Sequence, residues 1–207
     1  MSAKPGATCA DVVILCGGRG SRMGGLDKGW VTLAGAPLVA WVHQAVAAQT
    51  ADFGAIHISA NRELDRYQAL GVSVLVDRQP DFPGPLAGID AAFAHSKATW
   101  LWVVPCDMPL LPVEMLDRLQ QAILETNAPM AVVTLDGHPQ PANCLVHRQC
   151  WPALQAQMQA GQGALWRWQQ RCGAVYVPFE HADAMPNLNT PEALAALETT
   201  LSQLIQK

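Results

Sequence analysis

Residues Leu15–Gly29 read LCGGRGSRMGGLDKG, with glycines at 17, 18, 20, 24, 25 and 29 and the cations Arg19, Arg22 and Lys28 set against Asp27. Glycines let successive backbone N–H groups approach an anion, and the flanking cations add charge, so the residue types point to a phosphate cradle. The spacing narrows the choice. A Walker A loop needs G-x-x-x-x-G-K-[ST], whereas here Lys28 lies between Asp27 and Gly29. Gly18, Gly20 and Gly24 form G-x-G-x-x-x-G, one residue longer than the dinucleotide fingerprint. No acidic residue ends the next apolar run to hold a ribose hydroxyl. Arg62 at that place suits a 2′-phosphate, so an NADP-dependent oxidoreductase stays open as an alternative.

Two carboxylates share this kind of setting. Asp107 ends the apolar run TWLWVVPCD, and Asp77 ends VSVLVD. A single aspartate holds Mg²⁺ when triphosphate oxygens and waters complete the octahedron. A helix cap near Pro112 for Asp107, and a turn residue for Asp77, are the plainer alternatives. DFPGPLAG (81–88) places glycine and proline ahead of a helical pattern, where a flat ring could lie against backbone. Elsewhere the chemistry is thin. The six histidines show no metal spacing, and neither Ser21 nor Ser59 has a His–Asp arrangement or a G-x-S-x-G setting.

These residues need a scaffold that brings them together, and the alternation of apolar runs with helical patterns supplies one. Strands are expected at 11–16, 54–60, 72–77, 99–107, 129–135, 141–148 and 174–178. Helices are expected at 37–49, 62–70, 85–96 and 113–125, around 150–160, at 163–171 and after NLNTPEAL, with Thr190 as N-cap. The 113–125 helix is read as amphipathic through Met115, Leu116, Leu119, Ile123 and Leu124. Trp100 and Trp102 would share one strand face; the Trp166 and Trp168 pair, in a helical stretch, has no assignment.

Strand–helix alternation predicts a single-domain, three-layer α/β/α fold with a Rossmann-like, mostly parallel sheet. Such sheets bind ligands beyond the carboxyl ends of their strands. The glycine-rich loop, Asn61 and Arg62, Asp77 and Asp107 all follow strand ends, so they are expected on one edge.

Composition agrees. The 207 residues fit one domain, with 1–8 as a loose tail, and half are hydrophobic against 14% charged. A net charge of −4 disfavours a general nucleic-acid binder, which would be basic. No run has the length of a membrane span, and the N-terminus carries no signal-peptide pattern. Cys9, Cys16, Cys106, Cys144, Cys150 and Cys172 form no C-x-x-C and are read as reduced thiols of a cytoplasmic protein.

LCGGRGSRMGGLDKG resembles the L-A-G-G-x-S-x-R-M-G-x-x-K signature of nucleotidyltransferases with the nucleotide-diphospho-sugar transferase fold, and within them the molybdenum cofactor guanylyltransferase (MobA) family. ISANR, DFPGPLAGI, VPCDMPLLP and NLNTPEAL recur in family order over almost the whole chain. Cys16 replaces the usual alanine, and Ser59 stands where relatives often have asparagine. The resemblance implies a GTP- and Mg²⁺-dependent transferase that places GMP on Mo-molybdopterin and releases pyrophosphate. The sister cytidylyltransferases usually show A-A-G at Cys16–Gly18 and lack GPLAG; CTP use, another sugar-phosphate nucleotidyltransferase and a non-catalytic delivery protein remain the alternatives.

By the same resemblance, Lys28, Arg22 and Asp107 would be catalytic, with Asp107 holding the metal. Leu15, Cys16, Gly17, Gly18, Ser59, Asp77, Gly84, Pro85, Leu86 and Gly88 would complete the nucleotide site, within a nucleotide-binding part of about 9–110. Asn187 and Asn189 would receive the pterin in an acceptor part of about 111–207. Transient contacts with molybdenum-insertion and delivery proteins or apo-molybdoenzymes would follow.

Overall fold

Alternate residues of the central strands face opposite ways, and here both ways are apolar. The computed structural model describes residues 9–17, 27–79, 84–180 and 193–199. In chain order these form β1 (Ala10–Leu15), a 3₁₀ turn (Lys28–Trp30), β2 (Thr32–Leu33), β3 (Ala36–Pro37), α1 (Leu38–Ala47) and β4 (Ile56–Ser59). Then come α2 (Leu64–Gln68), β5 (Ser73–Leu75), α3 (Pro85–His95), β6 (Trp100–Pro105), α4 (Met115–Thr126), β7 (Met130–Leu135) and β8 (His138–His147). A second 3₁₀ turn (Arg148–Cys150), α5 (Trp151–Gln159), α6 (Leu165–Cys172) and β9 (Val175–Phe179) follow, and residues 193–199 form a helix, α7.

Val12 and Ile14 of β1, with Trp102 and Val104 of β6, join one core with α1, α2 and α4. Val13, Leu15, Leu101 and Val103 join the other, under α3, α5 and α6. Burial on both faces is why these strands read as unbroken apolar runs. The Trp102 indole donates to the buried Asn143 Oδ1 at 3.2 Å, and Trp100 packs at the margin of the same core. The Trp166/Trp168 pair separates as a helix requires: Trp168 is fully buried and donates to the Cys150 carbonyl, while Trp166 is exposed.

The seven-stranded order is β5-β4-β1-β6-β8-β7-β9. β5, β4, β1 and β6 are parallel, with Leu15 opposite Ser59 on one side and Pro105 on the other. β8 runs antiparallel to both β6 and β7, and β9 returns parallel to β7. The chain winds outward from β1 to β5, then crosses back to β6, so the topological switch point lies between β1 and β6. That crevice is the ligand position of doubly wound sheets.

Some expectations shift. Leu124 is exposed: it turns about 100° from Ile123 around the helix and leaves the apolar stripe. The β2–β3 hairpin was not anticipated. Its turn puts Ala34 and Gly35 at φ 47° and 83°, and only the glycine advertises that conformation. α7 lies on this hairpin through Leu197, packed with Val31, Leu33 and Leu38, and Glu198 accepts from the Ala34 amide at 3.0 Å. The Thr190 cap lies outside the described residues. No helix among the described residues is long and apolar enough to cross a membrane.

Candidate functional site

Because β1, β4, β5 and β6 are parallel, the segments leaving them emerge on one edge of the sheet. Gly17 stands two residues past β1, Asn61 two past β4, Asp77 two past β5 and Asp107 two past β6. The edge thus collects Asn61, Asp77 and Asp107, as sequence spacing assigned them; the glycine-rich loop from Gly18 to Leu26 lies outside the described residues.

At the switch point, the Lys28 ammonium forms an ion pair with Asp107 Oδ2. Seventy-nine positions separate the two residues; the β1–β6 pairing and the turn at 28–30 bring them together. Asp107 is 8% exposed, and its Oδ1 is buried with no hydrogen-bond partner among the described residues. A buried carboxylate oxygen without a partner is costly unless something positive completes it. The partner that the structure gives Asp107 is Lys28, and the helix after Pro112 has Glu114 at its N-cap. Among the described residues no group of three or more His, Cys, Asp or Glu is arranged to hold a metal. A hard divalent ion at Asp107 would draw its other ligands from a substrate and water, the usual pattern for Mg²⁺.

Lys28 is set by its own turn. Asp27 caps the 3₁₀ turn, its Oδ1 accepting the Gly29 amide at 3.1 Å and the Tyr67 hydroxyl at 2.5 Å. Tyr67 is fully buried; Trp30 lies against it with ring centroids 5.0 Å apart, and the Arg66 guanidinium covers Trp30 at 4.0 Å. A Cβ at position 29 would collide with the Tyr67 hydroxyl, so glycine there is a packing requirement.

Asp77 has a partner that spacing alone did not reveal. Asn61 Nδ2 donates to Asp77 Oδ2 at 2.7 Å, while Asn61 Oδ1 accepts the Asp77 amide at 3.0 Å. Burial pushes the Asp77 carboxyl up, the Asn61 hydrogen bond opposes that, and Asp90 nearby adds to the rise. Asp90 itself is buried and accepts from Arg78, from the Trp151 indole at 2.7 Å and from Gln155. This network ties the segment after β5 to α5.

The other predicted positions divide between rim and floor. Gly17 and Gly84 are exposed and Pro85 is half-buried; Gly84 adopts φ 106°, which favours glycine. Leu15, Cys16, Ser59, Leu86 and Gly88 are buried beneath the edge. The Cys16 amide donates to the Ser59 carbonyl at 2.9 Å, and the Leu15 carbonyl accepts the Cys106 amide at 3.1 Å. The Cys16 thiol points into the core, where burial and then the neighbouring Cys106 push it well above the ordinary thiol range. A Cβ at Gly88 would strike Ser59 Oγ and come within 3.0 Å of Leu15 Cδ2, so Gly88 lets α3 settle on β1 and β4. Gly18, Arg22, Asn187 and Asn189 lie outside the described residues. All six cysteines are free thiols.

Comparison with known proteins agrees with this geometry. Residues 12–175 match the model of the MobA-like NTP transferase domain. A molybdenum cofactor guanylyltransferase of Cupriavidus metallidurans is 41% identical over 187 residues, covering 88% of this chain and 91% of that protein. Another, of Photobacterium profundum, is 39% identical over 198 residues, covering 95% and 100%. The crystal structure of molybdopterin-guanine dinucleotide biosynthesis protein A from Archaeoglobus fulgidus superposes with a TM-score of 0.74, covering 93% of this chain and 99% of that one. At 23% identity it shows the shared fold. By family match, by identity to these relatives and by fold, this chain belongs to the MobA-like NTP transferase family.

Proposed function

We propose that this protein is a molybdenum cofactor guanylyltransferase, transferring GMP from GTP to Mo-molybdopterin with release of pyrophosphate. The observation that carries the reading is the Lys28–Asp107 pair at the β1/β6 switch point, with the other Asp107 oxygen buried and without a hydrogen-bond partner among the described residues. In the reaction, a terminal phosphate oxygen of the acceptor attacks the α-phosphorus of GTP. The new P–O bond forms as the bond to the β-phosphate bridging oxygen breaks, and pyrophosphate leaves. Such transfer needs positioning and charge neutralisation more than covalent help from the protein.

Asp107 would hold Mg²⁺, which when bound neutralises charge developing on the phosphates. Lys28 would turn from Asp107 to the triphosphate, and Arg22 with the loop from Gly18 would wrap it. Asp77, held by Asn61, would contact the nucleoside; Leu15, Cys16, Gly17 and Ser59 would form the floor below it. Gly84, Pro85, Leu86 and Gly88 would bound the base side. Leu86 and Gly88 are buried, so they would shape that wall through backbone and packing, as buried Ser59 would the floor. Asn187 and Asn189 would belong to the acceptor side, within 111–207. The work would take place in the cytoplasm, with the product passing to delivery proteins or apo-molybdoenzymes.

Base selectivity separates this reading from a CTP-dependent one. Isothermal titration with Mg–GTP, Mg–CTP and NADPH is expected to show binding of GTP with CTP at least tenfold weaker and no NADPH binding. Tighter CTP binding, or none by GTP, overturns it.

Asn61→Ala is expected to weaken Mg–GTP binding roughly tenfold, the scale of a hydrogen bond to a charged group. The sign of its pH effect is fixed. Asn61 favours the ionised form of Asp77 against burial, so its loss raises the Asp77 pKa further. The acid limb of binding should then move to higher pH, read by titration across pH 4–7; an unmoved limb contradicts the assignment.

A further inference from the structure

We propose that Tyr67 is a positioning residue for the transfer, acting through Asp27 to aim Lys28; the inference rests on the function proposed above. Three observations converge on it. The Tyr67 hydroxyl donates to Asp27 Oδ1, the same oxygen that receives the Gly29 amide, so one atom fixes both sides of Lys28. Tyr67 is fully buried on α2 and belongs to the main core, so the loop is referenced to rigid structure rather than to solvent. Gly29 leaves room for the phenol, because a Cβ there would occupy the hydroxyl position.

The chain of contacts is short and continuous. The backbone of the turn closes through Trp30 N–H to the Asp27 carbonyl at 3.0 Å and Val31 N–H to the Lys28 carbonyl at 3.2 Å. Trp30 then packs on the Tyr67 ring, and Arg66, the preceding residue on α2, lies over Trp30. α2 therefore grips the turn through the phenol hydroxyl and through the indole. Burial, with Cys16 and Asp27 nearby, pushes the phenol pKa far up, so the hydroxyl remains a donor at any working pH. A lysine on a flexible four-carbon stem needs such a reference if its charge is to meet a phosphate at a fixed point.

Tyr67→Phe removes the hydroxyl and keeps the ring that packs on Trp30. Misplacing a charged group by about an ångström costs up to roughly 10²-fold in rate, so kcat should fall about tenfold or more. KM for Mg–GTP should stay within about threefold, because Lys28 keeps its charge beside the triphosphate and loses only its aim. Asp27→Ala should show the same loss, and Asp27→Asn should recover most of it, because a carboxamide oxygen accepts both hydrogen bonds. In the Lys28→Ala background, Tyr67→Phe should cost nothing further, since residues acting as one unit are not additive. Additive losses, or a Tyr67→Phe turnover within about twofold of the parent, overturn the inference.

A readout without turnover separates this from failure of the proposed function. In ¹⁵N-lysine-labelled protein without nucleotide, Lys28 should give a protected ammonium signal that Tyr67→Phe loses to exchange with water. An unchanged signal overturns the positioning role whatever the reaction proves to be. Absence of GMP transfer by the parent protein counts against the function alone.

Discussion

Asp107→Ala is expected to lower GMP transfer on the order of 10²–10³-fold, the range seen when a preorganised charge-stabilising group is removed. Asp107 is the buried carboxylate at the switch point, and its Oδ1 has no hydrogen-bond partner among the described residues. Removing it deletes the proposed metal seat, whereas the strand that carries it keeps its pairing to β1. Lys28 loses its ion-pair partner, but its side chain is 26% exposed and can hydrate. The melting free energy should thus change by about 1 kcal/mol or less, as for partly solvated pairs. Asp107→Asn should lose nearly as much activity, because shape without charge does not hold a divalent ion. Initial-rate pyrophosphate release and a thermal melt on the same samples check both parts; near-normal turnover removes Asp107 from the chemistry.

Lys28→Ala is the second large effect. Its ammonium is proposed to leave Asp107 for the triphosphate when substrate arrives, so it serves both binding and transfer. Turnover should fall roughly 10²-fold, with GTP binding weakened about tenfold, the scale of a charge-assisted hydrogen bond. Lys28→Arg should not restore the rate, because a planar guanidinium presents its charge as a fork rather than a compact point. Here the fold loses a pair but retains the Asp27 cap and Tyr67 beneath it. Rates and titration with Mg–GTP measure the two components; a Lys28→Arg protein as active as the parent would make the residue a general countercharge only.

Much of this architecture is written locally. The apolar runs of β1 and β6 end directly before Cys16-Gly17 and Cys106-Asp107, and parallel pairing carries both ends to one edge. That is why the positions of Lys28, Asp77 and Asp107 at the edge followed from strand ends alone. Direction was less legible in the second half: the run PANCLVHR looks the same whether its strand runs with β6 or against it, and it runs against.

The connections between site residues were not legible at all. Asn61 meets Asp77 because of the β4–β5 register, in which Ser59 pairs with Leu75. Tyr67 reaches Asp27 across forty positions, from a helix whose own pattern says nothing of the loop. Depth was also hidden. Ser59 and Leu86 stand beside edge residues in sequence yet face the core, because alternation along β4 and the inner side of α3 turn them inward.

The most direct test of the central claim is a single-turnover assay with purified protein, Mg²⁺, GTP and Mo-molybdopterin, following pyrophosphate and the pterin product by mass. The account predicts stoichiometric pyrophosphate and a guanine dinucleotide product, both dependent on Mg²⁺ and both lost in Asp107→Ala. A cytosine dinucleotide formed preferentially from CTP, or GTP bound without pyrophosphate release, would contradict it.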